Sequence, residues 1–138
     1  MVKLTKDMLR TYELGDINEI PVLGGETIYQ GSAVGASSEN GYARSLQPDD
    51  KFIGFAEDHI DAVNSSDGQK NVRVRKKGSI ILEVAGASLT DINKSVYATN
   101  DNSFTLSPTN AVYIGQISRF EFDDRMLVDF NSSQLMPA

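Results

Sequence analysis

"VYATNDNSFTL", residues 96–106, places Val96 and Ala98 in alternation with Tyr97 and Thr99, then resumes the alternation at Phe104 and Leu106 after Asn100–Asp101–Asn102. Side chains two apart share one face of a strand, so the stretch reads as two strands. Asn and Asp tolerate the left-handed backbone that a tight turn demands. The expectation is a β-hairpin. A second segment of the same kind is "FEFDDRMLVDF", residues 120–130, where Asp123–Asp124 separates Phe120 and Phe122 from Met126, Val128 and Phe130.

Working outward, short apolar segments recur at intervals near ten residues from about residue 17 onward. Strands are expected at 26–34, 43–46, 51–57, 71–75, 79–84, 96–99, 103–106, 111–122 and 126–130. Turn residues lie between them, at 37–41, 64–68, 76–78, 100–102 and 123–124, and Gly24–Gly25 reads as a hairpin turn. That rhythm predicts an all-β chain. The expected architecture is a single compact β-barrel or β-sandwich domain over 17–131, preceded by an N-terminal arm, 1–16, and followed by a polar tail, 132–138.

The segment "NVRVRKKGSIILEV", residues 71–84, tests the charge reading, because Arg73, Arg75, Lys76 and Lys77 are four of the thirteen basic residues. Val72 and Val74 share one strand face and the two arginines share the other. Lys76, Lys77 and Gly78 read as a turn, after which Ile80, Leu82 and Val84 return on an apolar face. The basic run is therefore a solvated face plus a turn. It lacks the interleaved aromatics of single-strand binders, and the formal net charge of −6 argues further against nucleic acid.

The remaining composition bounds the function. The 138 residues contain no Cys, which removes disulfides and thiolate chemistry. No apolar run approaches the ~18 residues of a membrane helix, and the N-terminus lacks the apolar core of a signal peptide. The expectation is no membrane partner and use without export.

The first fifteen residues carry Leu4, Met8, Leu9, Tyr12 and Leu14. The first four recur at near-helical spacing, with Thr5 placed to cap a helix and Gly15 to end it. So short a helix is marginal in water without a partner surface. The segment is either a short amphipathic helix or a mobile arm.

Candidate chemistry is sparse. His59, the one histidine, lies among Glu57, Asp58 and Asp61, but the spacing fits neither an EF-hand loop nor a His-Glu-x-x-His helix. No Gly-x-Ser-x-Gly elbow is present. Asp49–Asp50 and Asp123–Asp124 read as turn acids that face solvent, and Tyr29, Tyr42, Tyr97 and Tyr113 as core or sheet-face aromatics. No catalytic residue, metal ligand or cofactor site is expected.

The ordered set GYAR (41–44), FIGFAED (52–58), NVRVRKKG (71–78), DINKSVYATNDNSFTLS (91–107), YIGQI (113–117) and MLVDF (126–130) resembles a known family. It is similar to the small capsid cement, or head decoration, proteins of tailed bacteriophages and prophages, over roughly residues 20–130. Asn93 and Lys94 stand where the family usually has a Gly before the Val-Tyr-Ala strand, and the arm is longer and more charged. The resemblance implies a non-enzymatic protein that binds the outside of an assembled head, often as a homotrimer at local threefold positions. It bridges neighbouring copies of the major capsid protein and needs no cofactor. Its implied place is the exterior of the virion, after synthesis in the host bacterial cytoplasm. On this reading Leu4, Met8, Leu9, Tyr12 and Leu14 dock onto a capsid subunit or a neighbouring copy. The alternative is a carbohydrate- or receptor-binding β-module of a virion or cell surface, and a further rival is a hydrolase built on Glu57, Asp58 and His59.

Overall fold

The computed structural model describes residues 3–133. It is an all-β domain of twelve strands in three sheets, with one 3-10 turn at Leu89–Asp91. The first five-stranded sheet has the order β1 (Ile17–Pro21), β7 (Asn71–Arg75), β5 (Lys51–Ala56), β3 (Ala33–Ala36), β4 (Ala43–Ser45). The second runs β10 (Ser103–Thr105), β9 (Ser95–Asn100), β11 (Val112–Phe122), β12 (Arg125–Asn131), β8 (Lys77–Glu83). A two-stranded sheet joins β2 (Thr27–Ile28) to β6 (Ile60–Asp61). The strands within each sheet pair antiparallel.

Both expected hairpins form. Thr105 pairs with Tyr97 across the Asn100–Asn102 turn, and Phe120 pairs with Met126 across Asp123–Asp124. Asp123 takes the left-handed backbone, φ 51°, that the tight turn requires.

The two large sheets close on one core. Phe52 and Phe55 from the first sheet meet Phe130 from the second, with Phe55 and Phe130 edge-to-face at 4.9 Å between ring centres. Val96, Ile114, Ile117, Met126 and Val128 complete this layer, all buried. The second sheet curls until its edges touch: Val84 bridges Phe104, and the Ala85 N–H donates to the Phe104 carbonyl at 3.0 Å, an ordinary ladder distance. The first sheet covers the open side of that curl. The result is a sandwich with one strongly curved layer.

The central strands β3 and β5 of the first sheet are covered on both faces. Its outer face packs Val34, Ala43, Val72 and Val74 against Ile28 and Ala62 of the segment carrying the small sheet. That explains why β3, "AVGA", is almost wholly apolar rather than alternating.

Several expectations change. The 26–34 segment is two strands split by a turn at Gln30–Gly31, and β2 pairs with β6 rather than continuing into the first sheet. Gly24–Gly25 is a turn but joins no hairpin, because β1 pairs with β7 and β2 with β6. The turn expected at 76–78 does not form: Lys77 and Gly78 already belong to β8, and after Lys76 the chain leaves the first sheet and enters the second, so β7 and β8 belong to different sheets. Local turn residues mark where a chain bends; they do not specify which strand it meets next. The arm described from residue 3 to residue 16 contains no helix. Of the expected tail, Ser132 and Ser133 form a turn in which the Ser132 N–H donates to the Lys76 carbonyl at 2.8 Å, and residues 134–138 lie outside the described part.

Candidate docking surface

The arm, residues 3–16, has no regular secondary structure, bends at Thr5–Lys6, and leaves its apolar side chains in water. Leu9 is fully exposed, Leu14 93% and Tyr12 86%, and Leu4 and Met8 are each more than half exposed. The structure brings none of the five into the core. Without the helix their arrangement follows a different period: Leu4, Met8, Tyr12 and Leu14 fall on even positions with Lys6 and Arg10, while Lys3, Thr5, Asp7, Thr11 and Glu13 fall on odd ones. In extended chain, even positions share one face. Leu9 alone breaks the pattern. Gly15, at φ +86°, turns the chain into β1, a conformation glycine adopts without a Cβ penalty. At the arm's root, Glu13 lines a shallow groove of about 380 Å³ with Ile17, Asn18, Glu19 and Arg73.

Other apolar side chains stand out from the body. Ile81 of the edge strand β8 is half exposed and lies in register with Leu127. Phe122 is exposed beneath the Arg125 guanidinium, 5.5 Å from its ring centre.

The basic stretch behaves as its alternation requires. Val72 and Val74 are buried and Arg73 and Arg75 exposed. Arg75 is engaged by Glu57, Nε to Oε1 at 2.8 Å.

The acidic neighbours of His59 are dispersed. Glu57 pairs with Arg75, Asp58 accepts from the Arg73 N–H at 3.3 Å, and Asp61 accepts from the Val63 N–H at 3.1 Å. Among the described residues no three His, Asp or Glu side chains converge as a metal site. His59 instead lies 5.2 Å from the Tyr29 ring.

Two of the turn-acid and aromatic expectations need correction. Asp50 does not face solvent; it is buried and holds Arg44. Tyr29 is neither core nor sheet face, because the strand expected there ends at Ile28 and leaves it 61% exposed. Tyr97 and Tyr113 do share a sheet face, as a cross-strand pair with ring centres 5.8 Å apart. Burial, and next the nearby Tyr97, raise the Tyr113 hydroxyl above the ordinary tyrosine range.

Tyr29 also borders a polar groove of about 430 Å³, shared with Gln30, Ser32, Asp101 and Asn102. Sequence reasoning did not single out these last four. Asn100–Asn102 reads only as a turn, and nothing local reveals that the β9–β10 turn rests against the turn after β2. No protein-family model, curated protein or solved structure matches this chain.

Proposed function

We propose that this protein is a capsid cement protein, which binds the outer surface of an assembled phage head and bridges neighbouring major capsid subunits. The observation that carries the reading is the arm: five large apolar side chains held in water on a segment without regular secondary structure, attached to a densely packed β-body. Such exposure is unfavourable unless a partner covers it. Drawn out as a strand, the segment would present Leu4, Met8, Tyr12 and Leu14 on one face, which suits addition to a sheet edge, where main-chain hydrogen bonds supply affinity and alternate side chains enter pockets. Lys6 and Arg10 on that same face would meet acidic groups on the capsid subunit.

The energetic logic is mass action. A protein that binds the assembled lattice but not separated subunits stabilises the lattice, by about 2.7 kcal/mol per site when present at 100 times its dissociation constant. A shell repeats that term at every occupied site. Trimers at local threefold positions would place three arms around one symmetry axis, and the apolar residues Ile81, Leu127 and Phe122 offer contact area away from the arm. A net charge of −6 keeps free copies soluble and repelled by packaged DNA. The proposed location is the virion exterior, and the role needs neither catalysis nor a cofactor. The ordered resemblance to cement proteins supports the same reading.

The test is deletion of residues 1–15, assayed by co-sedimentation with heads assembled from the partner major capsid protein. The expected outcome is loss of binding with the β-domain's melting temperature almost unchanged, because no described arm side chain joins either core cluster. A truncated protein that still decorates heads at wild-type affinity overturns the arm's role.

A further inference from the structure

The groove beside Tyr29 is polar, and no arm residue lines it. Its two walls are fastened together where the Ala33 N–H donates to the Asp101 carbonyl at 2.9 Å, and the Gly31 N–H ties the first wall to β5 by donating to the Ala56 carbonyl at 2.9 Å. The Ser32 hydroxyl donates to the Tyr29 carbonyl at 2.7 Å, and the Asn102 N–H donates to Asn100 Oδ1 at 2.9 Å. The backbone groups are thus used internally. The side-chain amides of Gln30 and Asn102 and the Asp101 carboxylate make no hydrogen bonds to the described residues, leaving them available to a ligand. Planar amides and a carboxylate offer paired donors and acceptors, the geometry that vicinal hydroxyls match. Tyr29, buttressed by the His59 ring at 5.2 Å, presents an exposed aromatic face on which the C–H face of a pyranose can rest.

The chemistry also excludes alternatives. No Lys or Arg lines the groove, so a phosphate or other anion would find no cation there and would be repelled by the Asp101 carboxylate. Its volume of about 430 Å³ lies within the ordinary span of small-molecule sites, about 300–1,000 Å³. The geometry points to a saccharide-binding site formed by Tyr29, Gln30, Asp101 and Asn102, giving the protein a weak glycan-binding activity beyond capsid attachment.

The experiment is a titration of the ¹⁵N-labelled full-length protein with glucose, galactose, mannose, rhamnose and N-acetylglucosamine, followed by amide chemical shifts. At least one sugar is expected to give saturable shifts confined to residues 29–33, 59 and 100–102. Tyr29→Ala should weaken that binding about tenfold, while Tyr29→Phe retains it because the ring is kept. Asn102→Ala provides an independent variant on the opposite wall, with a loss in the same direction. Deleting residues 1–15 should leave sugar binding intact, which separates this site from the head-binding arm. The proposal fails if none of the five sugars shifts these amides up to its solubility limit. It also fails if the shifts persist undiminished in Tyr29→Ala.

Discussion

Arg44 and Asp50 form a two-pronged ion pair across the turn between β4 and β5: Nη2 to Oδ1 at 2.7 Å and Nε to Oδ2 at 3.1 Å. The Asp50 side chain is wholly covered, while Arg44 keeps 23% of its side-chain surface in water. Asp50 also accepts from the Gln47 N–H at 3.1 Å, closing the turn. The carboxylate lies so close to Gly35 that a Cβ there would overlap it. The hydrogen bond to Asp50 raises the Arg44 guanidinium above its already high ordinary value, so Arg44 stays charged.

Removing one partner of such a pair is costly because it leaves the other charge poorly compensated. Asp50→Ala is expected to destabilise the domain by about 3 kcal/mol. Arg44→Lys keeps the charge but loses the planar fork, and should cost about 1 kcal/mol. Urea denaturation checks both, read as a lower midpoint at unchanged slope. An Asp50→Ala midpoint equal to wild type would show that the pair contributes nothing.

Tyr113 presents the reverse case. Its hydroxyl oxygen is buried and has no hydrogen-bond partner among the described residues. Burying an unpaired hydroxyl is unfavourable, so Tyr113→Phe should leave the ring against Tyr97 and raise stability by up to about 1 kcal/mol. Calorimetric melting is the measurement. A clear drop in stability would mean that the hydroxyl donates to a group that the folded chain supplies.

Most of the strand positions were legible because their signal is local. Period-two alternation places Val72 and Val74 inward and Arg73 and Arg75 outward without any knowledge of neighbours. Pairing is not local. Lys76 separates two strands of different sheets, and nothing in "RKKGS" distinguishes that switch from a hairpin. Gly54 and Gly115 show the same limit. Each sits where a partner backbone approaches so closely that a Cβ would overlap a carbonyl oxygen, of Arg75 and of Asp129 respectively. The motifs FIGFAED and YIGQI contain these glycines, but the crossing strands that require them are distant in sequence. The arm failed as a helix for a different reason. Leu4, Met8, Leu9 and Tyr12 fit both a helical stripe and, Leu9 excepted, an even-numbered strand face, and a lone short helix has too few internal hydrogen bonds to win. The burial of Asp50 is not legible either, because adjacency to Asp49 says nothing about Arg44.

Asp91 makes stability depend on acid. Its carboxylate pairs with Lys94 Nζ at 2.8 Å and accepts from the Ser88 N–H at 2.8 Å, fastening the 3-10 turn that leads into β9. Just beyond it the Asn93 N–H donates to the Ile117 carbonyl, and the Ile117 N–H donates to the Lys94 carbonyl, so the turn is stitched to β11. The hydrogen bond from Lys94, followed by that from the Ser88 backbone, lowers the Asp91 carboxyl below the ordinary aspartate range. A depressed folded-state value means that the unfolded chain binds its proton first as pH falls. The stabilisation is therefore complete above about pH 4, the ordinary aspartate value, and is lost as pH drops through the lower folded-state value. Asp91→Asn removes this contribution. Urea midpoints of wild type and variant should differ most at neutral pH and converge in acid. Part of the difference at neutral pH should fade with added salt, because Lys94 remains 60% exposed. A gap that stays constant from about pH 7 to about pH 2.5 would show that the carboxylate's charge plays no part in holding the turn.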